Sequence, residues 1–200
     1  MNLLGEKIFS FPKFYDIKVA FLKKINGLSH LKIDHLIQNK EIIDIGCGSK
    51  SLFYNPKNAK RRTGIDLSPE MIEFSKKNYP NSLHYVGPAE KLPFPDKSFD
   101  IALIQFVLHH IEANNWHAVI TEAKRVSKDG IIIFDQVKHD GFLRSLIQKI
   151  WWDLTDGGQI YRKERDWVEL LKNEQLQIIN YQRLGTLFGN VCFYQLKILK

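Results

Sequence analysis

Residues 42–48 read Ile42-Ile43-Asp44-Ile45-Gly46-Cys47-Gly48, an apolar, β-branched run that passes into a turn carrying two glycines. A short run of this kind is a strand buried on both faces, as in a parallel sheet. Gly46 and Gly48 allow the backbone to turn sharply and to approach a bound molecule where a Cβ would collide. In open α/β sheets the carboxyl end of a strand is where ligands sit, so one heptapeptide predicts both a fold class and the position of a site.

Outward from this strand, further apolar runs bounded by turn residues occur at Thr63–Asp66, Leu83–Val86, Asp100–Phe106, Gly130–Phe134, Leu176–Arg183 and Val191–Leu199, which with Glu41–Ile45 makes seven predicted strands. Helical spacing appears between them. Pro69–Asn78 opens with Ser68 as N-cap and Pro69 at the first helical position, and Asn115–Ser127 repeats Trp116, Val119, Ile120, Ala123 and Val126 on one face. Alternating strands and helices predict an α/β fold: a single doubly wound, mostly parallel seven-stranded sheet. The last two strands, separated by a short stretch, predict an antiparallel terminal hairpin at the sheet edge. The stretch Ser49–Arg62 lacks a helical repeat and contains Asn55-Pro56, so the first crossover helix is expected to be short or distorted.

Two segments lie outside this alternation. Phe14–Ile25 carries Tyr15, Ile17, Val19, Phe21, Leu22 and Ile25 and is expected to form an amphipathic helix ahead of the core. Gly141–Leu154 gathers Phe142, Leu143, Leu146, Ile147, Ile150, Trp151 and Trp152, with Arg144 and Lys149 opposite. That apolar face is expected to pack in the core, with a substrate wall or a lipid-facing surface as the alternatives. The organisation expected is one domain over 1–200: an N-terminal helical cap (1–40), a ligand-binding core (41–135), a helical insert and candidate acceptor site (136–165), and a final helix and strand hairpin (166–200).

Two hundred residues, 44% hydrophobic and 26% charged, describe one globular domain and exclude the disordered and fibrous classes. The start, Met1–Lys7, has no basic stretch leading into an apolar run of signal-peptide length and no later segment approaches 18 apolar residues, so neither secretion nor membrane spanning is expected; Cys47 and Cys192 have no partner at metal-ligand spacing. A cytoplasmic protein without structural zinc is expected. His109 and His110 are adjacent and face different ways, so no metal is expected there either. The net charge of +7 admits a nucleic acid or an anionic membrane surface as partner, but the basic residues are dispersed apart from Lys60-Arg61-Arg62.

About twenty residues after the glycine turn, Gly64-Ile65-Asp66 ends the second strand with an acid, suited to two adjacent ribose hydroxyls. A dinucleotide and S-adenosylmethionine both carry such a ribose. Ser51 stands where a dinucleotide fingerprint has its third glycine. Asp44, two residues before Gly46, suits the ammonium of a methionine group and would repel a pyrophosphate.

Four segments in this order, Asp44-Ile45-Gly46-Cys47-Gly48, Gly64-Ile65-Asp66-Leu67-Ser68-Pro69-Glu70-Met71, Gly87-Pro88-Ala89-Glu90-Lys91-Leu92-Pro93-Phe94, and Ser98-Phe99-Asp100-Ile101-Ala102 running to Leu108-His109-His110-Ile111, resemble the class I S-adenosylmethionine-dependent methyltransferases. Within that family they are most similar to the small-molecule group that includes ubiquinone and menaquinone methyltransferases, over residues 41–135. The resemblance implies a Rossmann-like methyltransferase fold with S-adenosylmethionine as cofactor and S-adenosylhomocysteine as product. It implies that Gly46 and Gly48 admit the methionine part, that Asp66 binds the ribose, and that Leu67 and Met71 pack near the adenine. Ala89 and Glu90 would flank the adenine edge, and Gln105 and Phe106 would line the methionine and the transferred methyl. Lys50 and Pro88 depart from the family pattern, which usually has a small residue and an acid there.

Methyl transfer from a sulfonium needs alignment and a dry site more than a dedicated nucleophile. His109 is the candidate base by position, with packing or capping as its other reading. The aromatic residues of the insert favour a small-molecule or lipid-like acceptor over nucleic acid, with Trp152 and Tyr161 as candidate wall residues. A nicotinamide-dependent oxidoreductase and a non-catalytic S-adenosylmethionine-binding protein are the alternatives.

Overall fold

The computed structural model describes residues 32–51, 53–155, 162–186 and 189–199. A short helix α1 (Asp34–Ile37) precedes β1 (Glu41–Ile45), β2 (Arg61–Asp66), α2 (Pro69–Asn78), β3 (Leu83–Val86) and β4 (Phe99–Gln105). Helix α3 (Trp116–Val126) leads directly into β5 (Ser127–Val137), followed by α4 (Phe142–Thr155), α5 (Glu164–Asn173), β6 (Leu176–Thr186) and β7 (Gly189–Ile198). The helix expected at Phe14–Ile25 lies outside the described residues.

All seven strands join one sheet in the order β3-β2-β1-β4-β5-β7-β6. The five strands from β3 to β5 are parallel, whereas β7 pairs antiparallel with both β5 and β6. The expected mostly parallel sheet with a terminal hairpin is therefore present. Its hairpin sits differently from a simple append: β7 threads between β5 and β6, so β6 is the edge. Strand order reverses between β1 and β4, the switch point at which α/β sheets open a crevice.

Side chains of β1 alternate between two cores. Ile43 and Ile45 enter the core beneath α3 and α5, with Trp116, Ile120, Trp167 and Leu171. Ile42 enters the other, with Ile33 and Ile37 at α1, Phe53 and Phe134. Helix α2 starts where its sequence predicts: Ser68 Oγ accepts from the Met71 amide at 3.2 Å, with Pro69 at the first position. Between β1 and β2 the described residues contain only a 3₁₀ turn, Pro56–Asn58, capped by the Asn55 side chain. This is the distortion expected of a segment whose proline removes a backbone donor.

Two expectations fail. The fourth strand stops at Gln105 rather than Phe106, because Phe106 has φ +56°, a left-handed conformation that no strand residue adopts. The described apolar side chains of α4 do not enter the core: Phe142 is 86% exposed, and Leu143, Leu146, Ile147 and Ile150 are exposed as well. The residue that fastens α4 is polar. Gln148 is buried, its Nε2 donates to the Val137 carbonyl at 2.9 Å, and its Oε1 accepts from the His139 amide at 2.9 Å, which turns the apolar side outward.

Candidate functional site

The turn after β1 is held by its neighbour. Gly46 and Cys47 amides both donate to the Ile65 carbonyl, at 2.8 and 3.0 Å. Gly46 and Gly48 take φ +66° and +54°. A Cβ on Gly46 would lie 2.2 Å from a Val107 methyl, so both the backbone angle and the adjacent side chain require glycine. The positive φ of Phe106 lies across the switch point from this turn, and its amide donates to the Phe134 carbonyl at 2.8 Å. Strain of this kind concentrates at functional sites.

Asp66 closes β2 with both carboxylate oxygens already holding one backbone amide each: Gly48 N–H on Oδ2 at 2.8 Å and Ser68 N–H on Oδ1 at 3.0 Å. The Leu67 amide adds a further backbone hydrogen bond to the same carboxylate, which lines the cavity described below. Burial raises the Asp66 pKa above its ordinary value, and the Ser68 and Gly48 amides oppose that shift. Next to it Leu67 is 73% exposed, an apolar side chain turned to water beside an acid.

These groups line a cavity of about 330 Å³ at the carboxyl ends of the parallel strands, within the range of small-molecule sites. Gly46, Gly48, Asp66, Leu67 and Met71 form one side, and Ala89, Glu90 and Phe106 approach from the loops after β3 and β4. Eight of the expected site residues thus meet in one space. Gly87, Val107, His110 and Ile111 line it too; three of them fall within the motifs, but nothing in the sequence assigned them to a ligand.

The remaining two cofactor candidates, Asp44 and Gln105, sit in an adjoining recess of about 20 Å³ that shares Gly46 and Gly48 with the cavity. Asp44 is not a spare charge. Its Oδ2 accepts from Arg62 Nη2 at 2.9 Å and from the Tyr54 hydroxyl at 2.7 Å, and its Oδ1 accepts from Gln105 Nε2 at 3.1 Å. Arg62 Nε also donates to the Tyr54 oxygen at 2.8 Å. The expectation that Asp44 offers an open carboxylate to an ammonium, and repels a pyrophosphate, is therefore corrected, since a buried guanidinium neutralises it. Gln105 also lines the recess, and its Oε1 is buried without a hydrogen-bond partner. Burial, with Asp44 adding to it, pushes the Cys47 thiol up to about 12, so this cysteine stays protonated and is no nucleophile.

His109 is corrected as well. It is 1% exposed, and its Nδ1 lies 2.6 Å from Asp135 Oδ1; it is not among the cavity-lining residues. Asp135 also accepts from the Leu108 and Gln136 amides, so this pair fastens the turn after β4 to β5. The histidine on the cavity is His110, exposed, with its ring 4.1 Å from that of His109. Choosing between adjacent histidines required the 3₁₀ turn Leu108–His110, which has no distinct sequence signal. Side chains of Trp152 and Tyr161 lie outside the described residues. Among those described, no cluster of three His, Cys, Asp or Glu side chains could hold a metal ion, and no helix is long and apolar enough to cross a membrane.

Residues 43–134 match a family model described as a methyltransferase domain. An uncharacterised protein of Methanocaldococcus jannaschii is 30% identical over 198 residues, covering 96% of this chain and 88% of that protein. A demethylmenaquinone methyltransferase of Chlorobaculum parvum is 36% identical over 74 residues, 36% of this chain and 31% of that enzyme. Among solved structures, magnesium protoporphyrin IX methyltransferase of Synechocystis with bound S-adenosylhomocysteine superposes with a TM-score of 0.66 at 17% identity, covering 100% of this chain and 89% of that one. The fold, the glycine turn, the acid after β2 and these likenesses agree: the chain belongs to the class I S-adenosylmethionine-dependent methyltransferases.

Proposed function

We propose that this methyltransferase acts on a small organic or lipid-like acceptor, with S-adenosylmethionine held across the switch point between β1 and β4. The observation that carries the cofactor assignment is Asp66, whose carboxylate lines the cavity at the carboxyl end of β2 beside the glycine turn and the exposed Leu67, where two adjacent ribose hydroxyls can meet it. In this reading Leu67 and Met71 cover the adenine, with Ala89 and Glu90 at its edge. Gly46 and Gly48 border the methionine chain, and Gln105 lines the recess beside them. Asp44 acts at one remove, accepting from the Gln105 amide and so fixing that side chain at the recess.

The bound cofactor supplies an electrophilic methyl group. The protein's work is then alignment and exclusion of water, for which Phe106, Val107 and Ile111 provide apolar walls. His110 replaces His109 as the titratable group able to meet an acceptor. The core 41–135 holds the cofactor, and the insert 136–165, which leaves β5 at the same sheet edge, is assigned to the acceptor side. A cytoplasmic setting is supported by two cysteines that are both free and buried.

A small or lipid-like acceptor is supported by what the similar proteins are named for, menaquinone precursors and a magnesium porphyrin, and by the predominantly apolar loops around Phe106. Incubation with methyl-labelled S-adenosylmethionine and fractionated cell extract should place label in the lipid or small-molecule fraction. Label confined to nucleic acid or protein would contradict the acceptor class while leaving the cofactor reading intact.

A further inference from the structure

Helix α4 presents an apolar surface that no described residue covers. Phe142, Leu143, Leu146, Ile147 and Ile150 are between 43 and 86% exposed, and at 100° per residue they fall within an arc of about 140°. Gln148, the buried anchor bonded to Val137 and His139, lies about 170° from the centre of that arc, so the body of the protein is behind the helix and the arc points away from it. Lys149 and Arg144, both exposed, lie on opposite sides of the arc, about 20° and about 60° beyond its borders, within reach of the interface for long side chains. The helix leaves β5 at the carboxyl edge of the sheet, the edge on which the cavity opens.

We propose that this face of α4 docks the enzyme onto an anionic lipid surface, lying in the headgroup layer beside the cavity. An apolar stripe bordered by cations is the pattern of an interfacial helix, in which the stripe enters the acyl boundary and the basic side chains reach back to phosphates. The chain's net charge of +7 favours the same approach. A second copy of the chain fits less well. One face of a 14-residue helix offers a few hundred Å², short of the roughly 800 Å² per partner of stable interfaces, and a two-fold pairing would bring the flanking cations of both copies together. The docking does not depend on which acceptor is methylated.

The test is co-sedimentation of the full chain with vesicles of phosphatidylcholine and phosphatidylglycerol at 3:1, and of phosphatidylcholine alone, read without any turnover. The parent should pellet with the anionic vesicles and bind the neutral ones at least fivefold more weakly. Phe142→Asp with Ile147→Asp should lower partitioning at least tenfold while leaving adenosylhomocysteine affinity unchanged, since both side chains are exposed and away from the cavity lining. Arg144→Glu, which leaves the apolar arc whole, should lower binding to anionic vesicles about fivefold. The proposal is overturned if the full chain ignores anionic vesicles, if neither variant weakens binding, or if the chain dimerises in sedimentation velocity through contacts that the aspartates abolish and no vesicle binding is seen. Any of these outcomes would leave the methyltransferase reading standing.

Discussion

Replacing Arg62 by alanine is expected to destabilise the chain by about 3–5 kcal/mol, the cost of leaving a buried charge without its partner. The Arg62 and Asp44 side chains are 1 and 2% exposed and meet at 2.9 Å. Without the guanidinium, Asp44 keeps only the Tyr54 hydroxyl and the Gln105 amide, two neutral donors for a carboxylate out of water. For a chain of this size the loss corresponds to a fall of roughly 6–20 °C in melting temperature. The effect reaches the site because Asp44 holds Gln105 and Tyr54 in place behind the glycine turn. A melting curve within 2 °C of the parent would show that the Asp44 environment is wet and that the pair is not the strut it is described to be.

The second large effect is Gly46→Val. Valine must adopt φ +66° and insert a Cβ where a Val107 methyl stands 2.2 Å away. Strained backbone costs about 1–3 kcal/mol and overpacking about 1–3 more, so the variant should melt lower yet retain its secondary structure. Relief can come only by moving Val107 or the turn itself, and both line the cavity. Cofactor affinity should fall at least a hundredfold by calorimetric titration with S-adenosylhomocysteine. Parent-like affinity would mean that the turn is not the cofactor cradle.

Both effects show which parts of the molecule the sequence discloses. Strand β1 and helix α2 have the predicted limits because their signals are local: a β-branched run ending in glycine, and a serine cap followed by proline. Eight motif positions converge on the cavity for the same reason, since the strand-to-loop transitions where they lie are fixed by short segments. What fails depends on contacts between distant residues. Asp44 and Arg62 are 18 positions apart, on adjacent strands paired Ile42 to Arg62 and Asp44 to Gly64, and no pattern along the chain announces their ion pair. The swap of His109 for His110 follows from Asp135, on β5, capturing the first of the two. The apolar periodicity of α4 correctly gave a helix, yet periodicity identifies a face without saying what lies against it, and a single glutamine decided which way that face points.

Whether the cavity beside Asp66 takes S-adenosylmethionine is decided by calorimetric titration of the parent and of Asp66→Ala with S-adenosylhomocysteine, and with nicotinamide dinucleotides as the control. Losing charge-assisted bonds to the ribose hydroxyls should weaken the variant by about 1.5–3 kcal/mol, roughly 10- to 150-fold. Because only the ionised carboxylate accepts both hydroxyls, and burial raises the pKa of Asp66 in the free protein, the parent's affinity should fall on acidification, beginning at a higher pH than for an ordinary aspartate. The parent should bind S-adenosylhomocysteine saturably at a single site, Asp66→Ala should bind it more weakly, and the dinucleotides should give no heat. Equal affinity in parent and variant, or binding of a dinucleotide in place of S-adenosylhomocysteine, would contradict the cofactor assignment.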